Sequence, residues 1–271
     1  MPAAATLKLG TLGGPATFAG EATESMRELY PELGAPAYFS SMEDCWQALK
    51  SGAVDVVVLG TERTGQPHHG QPIVSNGFYV MGQLAQPLDC SLYVKPGTRR
   101  EDIRRITGHG SIHQCTSYLD RHFPAVPREM HALNSVAAAR EVMAADGTMA
   151  VVGSRSLVKQ VPGLEEIAAR IDDGAISSWW AVTVKPRFDE RPTALVVAGR
   201  FGPDGRLGDL IAAVSENGYR LTTAASFPVS RGVSVYDYIL SFAGKGRRAD
   251  VEQAVARFDG ARLAGAFEQR G

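Results

Sequence analysis

Cysteine is scarce: three in 271 residues, Cys45, Cys90 and Cys115, odd in number and far apart. That pattern excludes a disulfide framework and a paired-cysteine zinc site, and leaves reduced thiols as the expectation. No window approaches 18 uninterrupted apolar residues, so a membrane-spanning helix is not expected. The N-terminus lacks the basic segment and apolar run of a secretion signal, and a soluble, cytoplasmic protein is expected. Neither sign of charge dominates, with 28 Lys and Arg against 29 Asp and Glu. Nothing therefore marks nucleic acid or a membrane surface as partner, and a small molecule or another protein is expected.

Apolar residues make up 44% of the chain, enough for real cores. The length suits two units, or one of 180–190 residues with an appended module. Residues 7–12 alternate and run into Gly13-Gly14-Pro15-Ala16-Thr17-Phe18, ahead of a helical pattern over 19–29. A strand, a Gly-rich turn and a helix start can hold an anion on free backbone N–H groups. Dinucleotide and Walker spacings are absent, and a plain turn explains the segment equally well. A second helix is predicted over 44–51, closed by Gly52, and a buried strand over 54–59. Gly60-Thr61-Glu62-Arg63-Thr64-Gly65 then falls at a strand's carboxyl end, where open α/β sheets bind ligands, or is a solvated loop. Pro67-His68-His69-Gly70 has no third ligand at metal spacing, so its histidines read as loop residues.

Strands are predicted over 78–94 and a short basic helix over 101–105. Another helix opens at Gly108-His109-Gly110-Ser111 and runs through Gln114, Cys115 and Leu119 to Phe123-Pro124. His109, at a Gly-flanked strand end, is within reach of a ligand in a cleft. The helix over 134–145 takes Ser135 as its N-cap; a strand follows at 149–152, and Ser154 opens the next helix. This alternation argues for α/β layers.

In the stretch Asp172-Asp173-Gly174-Ala175-Ile176-Ser177-Ser178-Trp179-Trp180, two hydroxyls precede two indoles that lead into a strand. Such a cluster at the mouth of a strand suits a small polar ligand; core tryptophans beside a turn are the alternative. Beyond a polar, Pro-bounded linker over 186–192 come strand 194–201, helix 207–217, strands 221–227 and 233–242, helix 249–258 and strand 262–268. That βαββαβ order is ferredoxin-like.

Five short segments, in order, carry a resemblance. Leu12-Gly13-Gly14-Pro15-Ala16-Thr17-Phe18 parallels Leu-Gly-Pro-x-Gly-Thr-Phe, and Gly60-Thr61-Glu62-Arg63-Thr64 parallels Pro-Ile-Glu-Asn-Ser. Gly108-His109-Gly110 with Gln114-Cys115 and Tyr118-Leu119 parallels Ser-His-Pro and Gln-Cys-x-x-Tyr/Phe-Leu, and Ser135-Val136-Ala137-Ala138-Ala139 parallels Ser-Thr-Ala-x-Ala. Ser178-Trp179-Trp180 stands where the signature Thr-Arg-Phe is expected. With the C-terminal pattern, the chain resembles the prephenate dehydratase family over nearly its full length.

The resemblance implies an α/β fold: a periplasmic-binding-protein-like catalytic domain over 1–186, with lobes of about 1–85 plus 172–186 and of 86–171, then an ACT-like domain over 193–271. It implies prephenate or a close analogue as ligand, no cofactor, no metal, and a homodimer or tetramer assembled through ACT edges. Expected proton-transfer residues are Ser178, Glu62, Thr64 and His109. Expected substrate contacts are Thr17, Phe18, Arg63, Ser111, Ser135, Ser177 and Trp179.

The departures shape the expected reaction. In the family the Thr is taken to assist loss of the ring hydroxyl and the Arg to hold a carboxylate; an indole in place of that guanidinium removes a bidentate cation. Arg63 is the candidate replacement. The Ser-Trp pair looks similar to the non-aromatising prephenate decarboxylases of the same fold, so decarboxylation to a dihydro-4-hydroxyphenylpyruvate in specialised, antibiotic-type metabolism is the favoured expectation. Dehydration to phenylpyruvate is the alternative, and a catalytically silent binding protein the third reading. Gly205-Arg206-Leu207 and Ala225-Ser226-Phe227-Pro228 lack the acidic and basic members of the family's phenylalanine-binding segments, so feedback by phenylalanine is not expected.

Overall fold

The computed structural model describes residues 6–63, 68–202, 205–229 and 235–270, and of Arg63 the backbone. The chain first lays down β1 (Leu7–Leu12), α1 (Phe18–Leu29), β2 (Leu33–Phe39), α2 (Met42–Ser51), β3 (Val56–Arg63), α3 (Gln71–Ser75) and β4 (Tyr79–Pro87). Thr17 caps α1 by accepting from Gly20 N, Ser41 caps α2 by accepting from Asp44 N, and Gly52 closes α2 in the left-handed conformation at φ 74°.

The chain then crosses to a second sheet. There it forms β5 (Cys90–Val94), β6 (Arg105–Gly108), α4 (Thr116–His122), β7 (Arg128–Met130), α5 (Ser135–Ala144), β8 (Met149–Ser154), α6 (Leu157–Gln160) and β9 (Glu165–Ala168). It returns as β10 (Ile176–Thr183) and continues into β11 (Ala194–Phe201), α7 (Leu207–Glu216), β12 (Tyr219–Pro228), β13 (Tyr236–Gly244), α8 (Arg248–Val255) and β14 (Ala261–Phe267).

One sheet of nine strands runs β12-β13-β11-β14-β4-β10-β3-β1-β2, and the other runs β7-β6-β8-β5-β9. β12-β13-β11-β14 is the antiparallel ferredoxin-like order expected from the βαββαβ pattern. It continues into the first lobe through one parallel pairing, Gly265 with Val80. The two parts share a core in which Trp46, Leu49 and Trp180 pack with Ala194, Ile239 and Phe267. Arg262 of β14 reinforces the join, donating at 2.7 Å to the carbonyls of both Ile73 and Phe78.

Two crossings connect the sheets, at 88–89 and 169–175, and they are bonded to each other. Leu88 N donates to Ala175 O and Ile171 N to Cys90 O, both at 2.9 Å, while Cys90 N donates to Asp172 Oδ1 at 3.0 Å. Asp89 and Arg170, at φ 49° and 52°, are the non-glycine residues with positive φ among those described. Both sit in these crossings.

Several local expectations need correction. Gly60 to Arg63 is not a loop but the end of β3, held in the sheet by pairing of Ser177 with Arg63 and Ser178 with Glu62. Thr61 is the extra residue of a bulge there, because Trp179 pairs with Gly60. The helix expected from 108 begins as a separate 3-10 turn at Gly110–Gln114 before α4, and the basic helix at 101–105 is a 3-10 turn at Arg100–Asp102. Asn134, not Ser135, caps α5 by accepting from Ala137 N at 2.9 Å. Ser154 ends β8, and α6 starts after Ser156.

Candidate functional site

A cavity of about 1100 Å³ lies between the two sheets, and helix starts and strand ends furnish its walls. From the nine-stranded side come Thr17 and Phe18 at the start of α1, Ser41 and Met42 at the start of α2, Gly60 and Glu62 of β3, and Ser177 and Trp179 of β10. From the five-stranded side come His109, Gly110, Ser111, Asn134 and Ser135. His68, His69 and, from the C-terminal sheet, Phe227 complete it.

Strand alternation decides which hydroxyl of β10 meets the cavity. β10 pairs without interruption against β4 from Ile176 to Ala181, so Ser177 and Trp179 share one face. Both line the cavity, and Ser178, the expected proton donor, is not among the lining residues. The signature is better laid on Ser177-Ser178-Trp179, which keeps a hydroxyl at the Thr position and an aromatic at the Phe position. The Arg position is then Ser178, so the guanidinium is missing in either register. Gly60 lets the indole lie close: a methyl there would be 3.1 Å from the Trp179 ring.

The expected contacts Thr17, Phe18, Ser111 and Ser135, and the expected acid-base groups Glu62 and His109, all line the same space. The hydroxyl of Thr17 is engaged in its cap, donating to Gly14 O at 2.8 Å and accepting from Gly20 N at 3.1 Å. Thr64 and the side chain of Arg63 lie outside the described residues. Arg63 pairs through its backbone with Ser177.

Among the described lining residues there is no Lys or Arg. Positive potential comes instead from helix N-termini. α1 has Glu21 in its first turn and α2 has Glu43 and Asp44, whereas the first turn of α5 carries no acid. Beside the start of α5, Ser111 is 2% exposed and its Oγ has no hydrogen-bond partner. A buried hydroxyl left unpaired is costly unless a ligand satisfies it. The five-stranded side therefore offers the cavity a helix N-terminus that no acid in its first turn neutralises.

Two histidines present opposite chemistry. His109 Nδ1 lies 3.1 Å from the carbonyl of His131, which can only accept, so in the neutral ring Nδ1 carries the proton and Nε2 is a free acceptor. Nδ1 of His68 accepts from Gly70 N at 2.9 Å, so its proton is on Nε2. Burial first, and then neighbouring His69, push the His68 imidazole down to about 4. The sequence gives no period or spacing by which His68 could be placed here. Next to it, His69 N donates to the carbonyl of Thr61, the bulged residue, at 2.6 Å.

The family model for prephenate dehydratase matches residues 9–184. The bifunctional chorismate mutase/prephenate dehydratase of Stutzerimonas stutzeri is 26% identical over 214 residues, which cover 76% of this chain and 57% of that protein. The chain thus spans little more than half the length of that relative. The prephenate dehydratase of Bacillus subtilis is 24% identical over 97% of this chain and 93% of its own length. Among solved structures, a prephenate dehydratase from Arthrobacter aurescens in complex with L-Phe superposes with a TM-score of 0.78 at 19% identity, covering 97% of this chain and 90% of that one.

Proposed function

The chain belongs to the prephenate dehydratase family, and on that premise we propose that it is a cofactor-free lyase acting on prephenate, with the cavity between the sheets as its active site. The observation that carries the proposal is the face β10 turns to the cavity: Ser177 and Trp179, with no Lys or Arg among the described lining residues. One carboxylate of the dianion docks at the start of α5 against Ser111 and Ser135. The ring lies along Trp179, and Arg63 is proposed as the cation for the second carboxylate.

We favour non-aromatising decarboxylation. The bond from the ring to its carboxylate breaks, carbon dioxide leaves, and the electron pair passes through the ring alkene to a ring carbon that takes up one proton. The 4-hydroxyl stays, and the product is a dihydro-4-hydroxyphenylpyruvate. An apolar indole beside the ring carboxylate destabilises that charge relative to the dispersed charge of the transition state. His109, Glu62 and Ser177 are the candidate proton carriers. Dehydration to phenylpyruvate is the second reading. The Ser177 hydroxyl on the cavity face, able to protonate a departing 4-hydroxyl, speaks for it, as do relatives that carry the name dehydratase.

Purified protein incubated with prephenate at mildly alkaline pH separates these readings. Carbon dioxide release with a non-aromatic 2-oxo acid is the expected result. Phenylpyruvate would replace decarboxylation by dehydration, and unchanged prephenate that still binds would replace the lyase by a binding protein. We further propose catalytic and ACT-like units over 1–186 and 193–271, cytoplasmic placement, and self-association as a homodimer, or a tetramer, through β12. That strand is the terminal strand of the nine-stranded sheet. No helix among the described residues is long and apolar enough to cross a membrane.

A further inference from the structure

His68 stands outside the five short segments that parallel the family, yet it lines the cavity. Three contacts hold its ring. Nδ1 accepts from Gly70 N at 2.9 Å. Trp180 meets the ring edge-on with centroids 5.3 Å apart, and Phe227, from β12 of the C-terminal sheet, meets it at 6.1 Å. Gly70 is itself constrained by this packing, not by its backbone angles. At φ −83° any residue would be allowed, but a methyl there would lie 2.5 Å from His68 Cε1 and 2.6 Å from Ile239 Cδ1.

We propose that His68 contacts the substrate directly, as a neutral imidazole fixed in the Nε2–H tautomer that donates a hydrogen bond to a substrate oxygen, and that Gly70 and Phe227 are positioning residues for it. The argument is one of inventory. A site for a polyoxygenated dianion needs donors on both sides; on the nine-stranded side the Thr17 hydroxyl is spent on its cap, those of Ser40 and Ser41 on Asp44, and no described Lys or Arg reaches the space, so His68 adds an N–H to the polar groups of Tyr38, Gln71 and Ser177. A ring whose acceptor nitrogen is already taken has only a donor left to offer. Its low basicity, from burial, keeps that donor neutral at working pH. A neutral donor favours an oxygen that gains charge during reaction without forming a tight ground-state ion pair. Because Phe227 belongs to β12, the C-terminal βαββαβ part of the chain supplies a wall of the site.

The inference rests on the cavity being a prephenate site, so wild-type conversion or binding of prephenate is measured first. In the full-length protein, His68→Phe keeps a ring of similar size and removes the donor. It is expected to raise KM for prephenate at least tenfold with a smaller change in kcat, while His68→Gln, which retains an N–H, recovers most of the loss. Phe227→Ala should move KM in the same direction by less. In ¹⁵N spectra at pH 7 the His68 ring should show a protonated Nε2 and a bare Nδ1, and the Nε2 signal should move when prephenate is added. Wild-type KM in His68→Phe, or an imidazole signal unmoved by saturating prephenate, overturns the inference while leaving the lyase reading intact. A wild-type protein that neither converts nor binds prephenate overturns both. If His68→Phe does not fold, the spectrum of the wild-type protein alone decides.

Discussion

On the side of the five-stranded sheet the cavity meets hydroxyls, an amide, the His109 imidazole and the N-terminus of α5, whose first turn carries no acid; on the side of the nine-stranded sheet it also meets hydroxyls and the Glu62 carboxylate, but among phenyl and indole rings and the His68 imidazole. The polar side holds two of the family-like segments, Gly108-His109-Gly110 and Ser135-Val136-Ala137-Ala138-Ala139, and the aromatic side holds a third, ending in Thr17-Phe18. The aromatic side holds the departures: Ser177-Ser178-Trp179, the loop carrying His68, and Phe227 from a segment that has lost its acidic and basic members. On the proposed function, the anchoring of a carboxylate and the handling of the ring divide between these two surfaces.

Four experiments press on this division, from the largest expected effect to the smallest. Ser177→Ala should lower kcat/KM for prephenate by about 10²-fold or more, the scale of a lost proton donor, whereas Ser178→Ala should stay within about threefold. Initial rates on both variants decide the register of β10, and the reverse ranking would restore Ser178. On the polar side, Ser111→Ala should raise KM by about tenfold with kcat nearly unchanged, as for a hydrogen bond to a charged group present before and during reaction. A fall in kcat at constant KM would move Ser111 from anchoring to chemistry.

Gly60→Ala presses on the aromatic side. A methyl 3.1 to 3.4 Å from the Trp179 ring forces the indole to shift, at a cost of about 1–2 kcal/mol in stability by denaturant titration. An unchanged midpoint would show that the indole has room to move. The smallest effect concerns pH. His68 has an ordinary value of 6.5 and is pushed down to about 4 in the fold. Between those values the unfolded chain binds a proton that the folded chain does not, so His68 makes stability rise with pH across that window and level off above it. Melting temperatures of His68→Phe should therefore fall less steeply than those of the wild type as pH drops from 6.5 towards 4. Parallel curves would mean that His68 is charged in the fold.

The C-terminal βαββαβ unit was legible in the sequence because strands of alternating or continuous apolar residues and two helices of regular period each satisfy their own local rules. β2 was not read: it is the edge strand and contains Pro36, which weakens any strand pattern. The choice between Ser177 and Ser178 could not be made locally either. One residue of register exchanges the faces, and that register is fixed by pairing with β4, some ninety residues earlier in the chain. That 60–63 still belongs to the strand could not be read locally for the same reason, since its partner strand β10 is remote. His68 lines the cavity beside a β3 bulge and a glycine packed on its ring, neither of which leaves a periodic trace.

The paired crossings between the sheets set how the molecule can move. Two chain segments bonded to one another, each turned by a residue at positive φ, form an axle and not a ball joint. The C-terminal sheet is welded to β4 on the near side of that axle by Gly265 and Arg262. The five-stranded sheet is thus tied to the rest at two mutually bonded segments, while Trp179, His68 and Phe227 line the cavity from the other side.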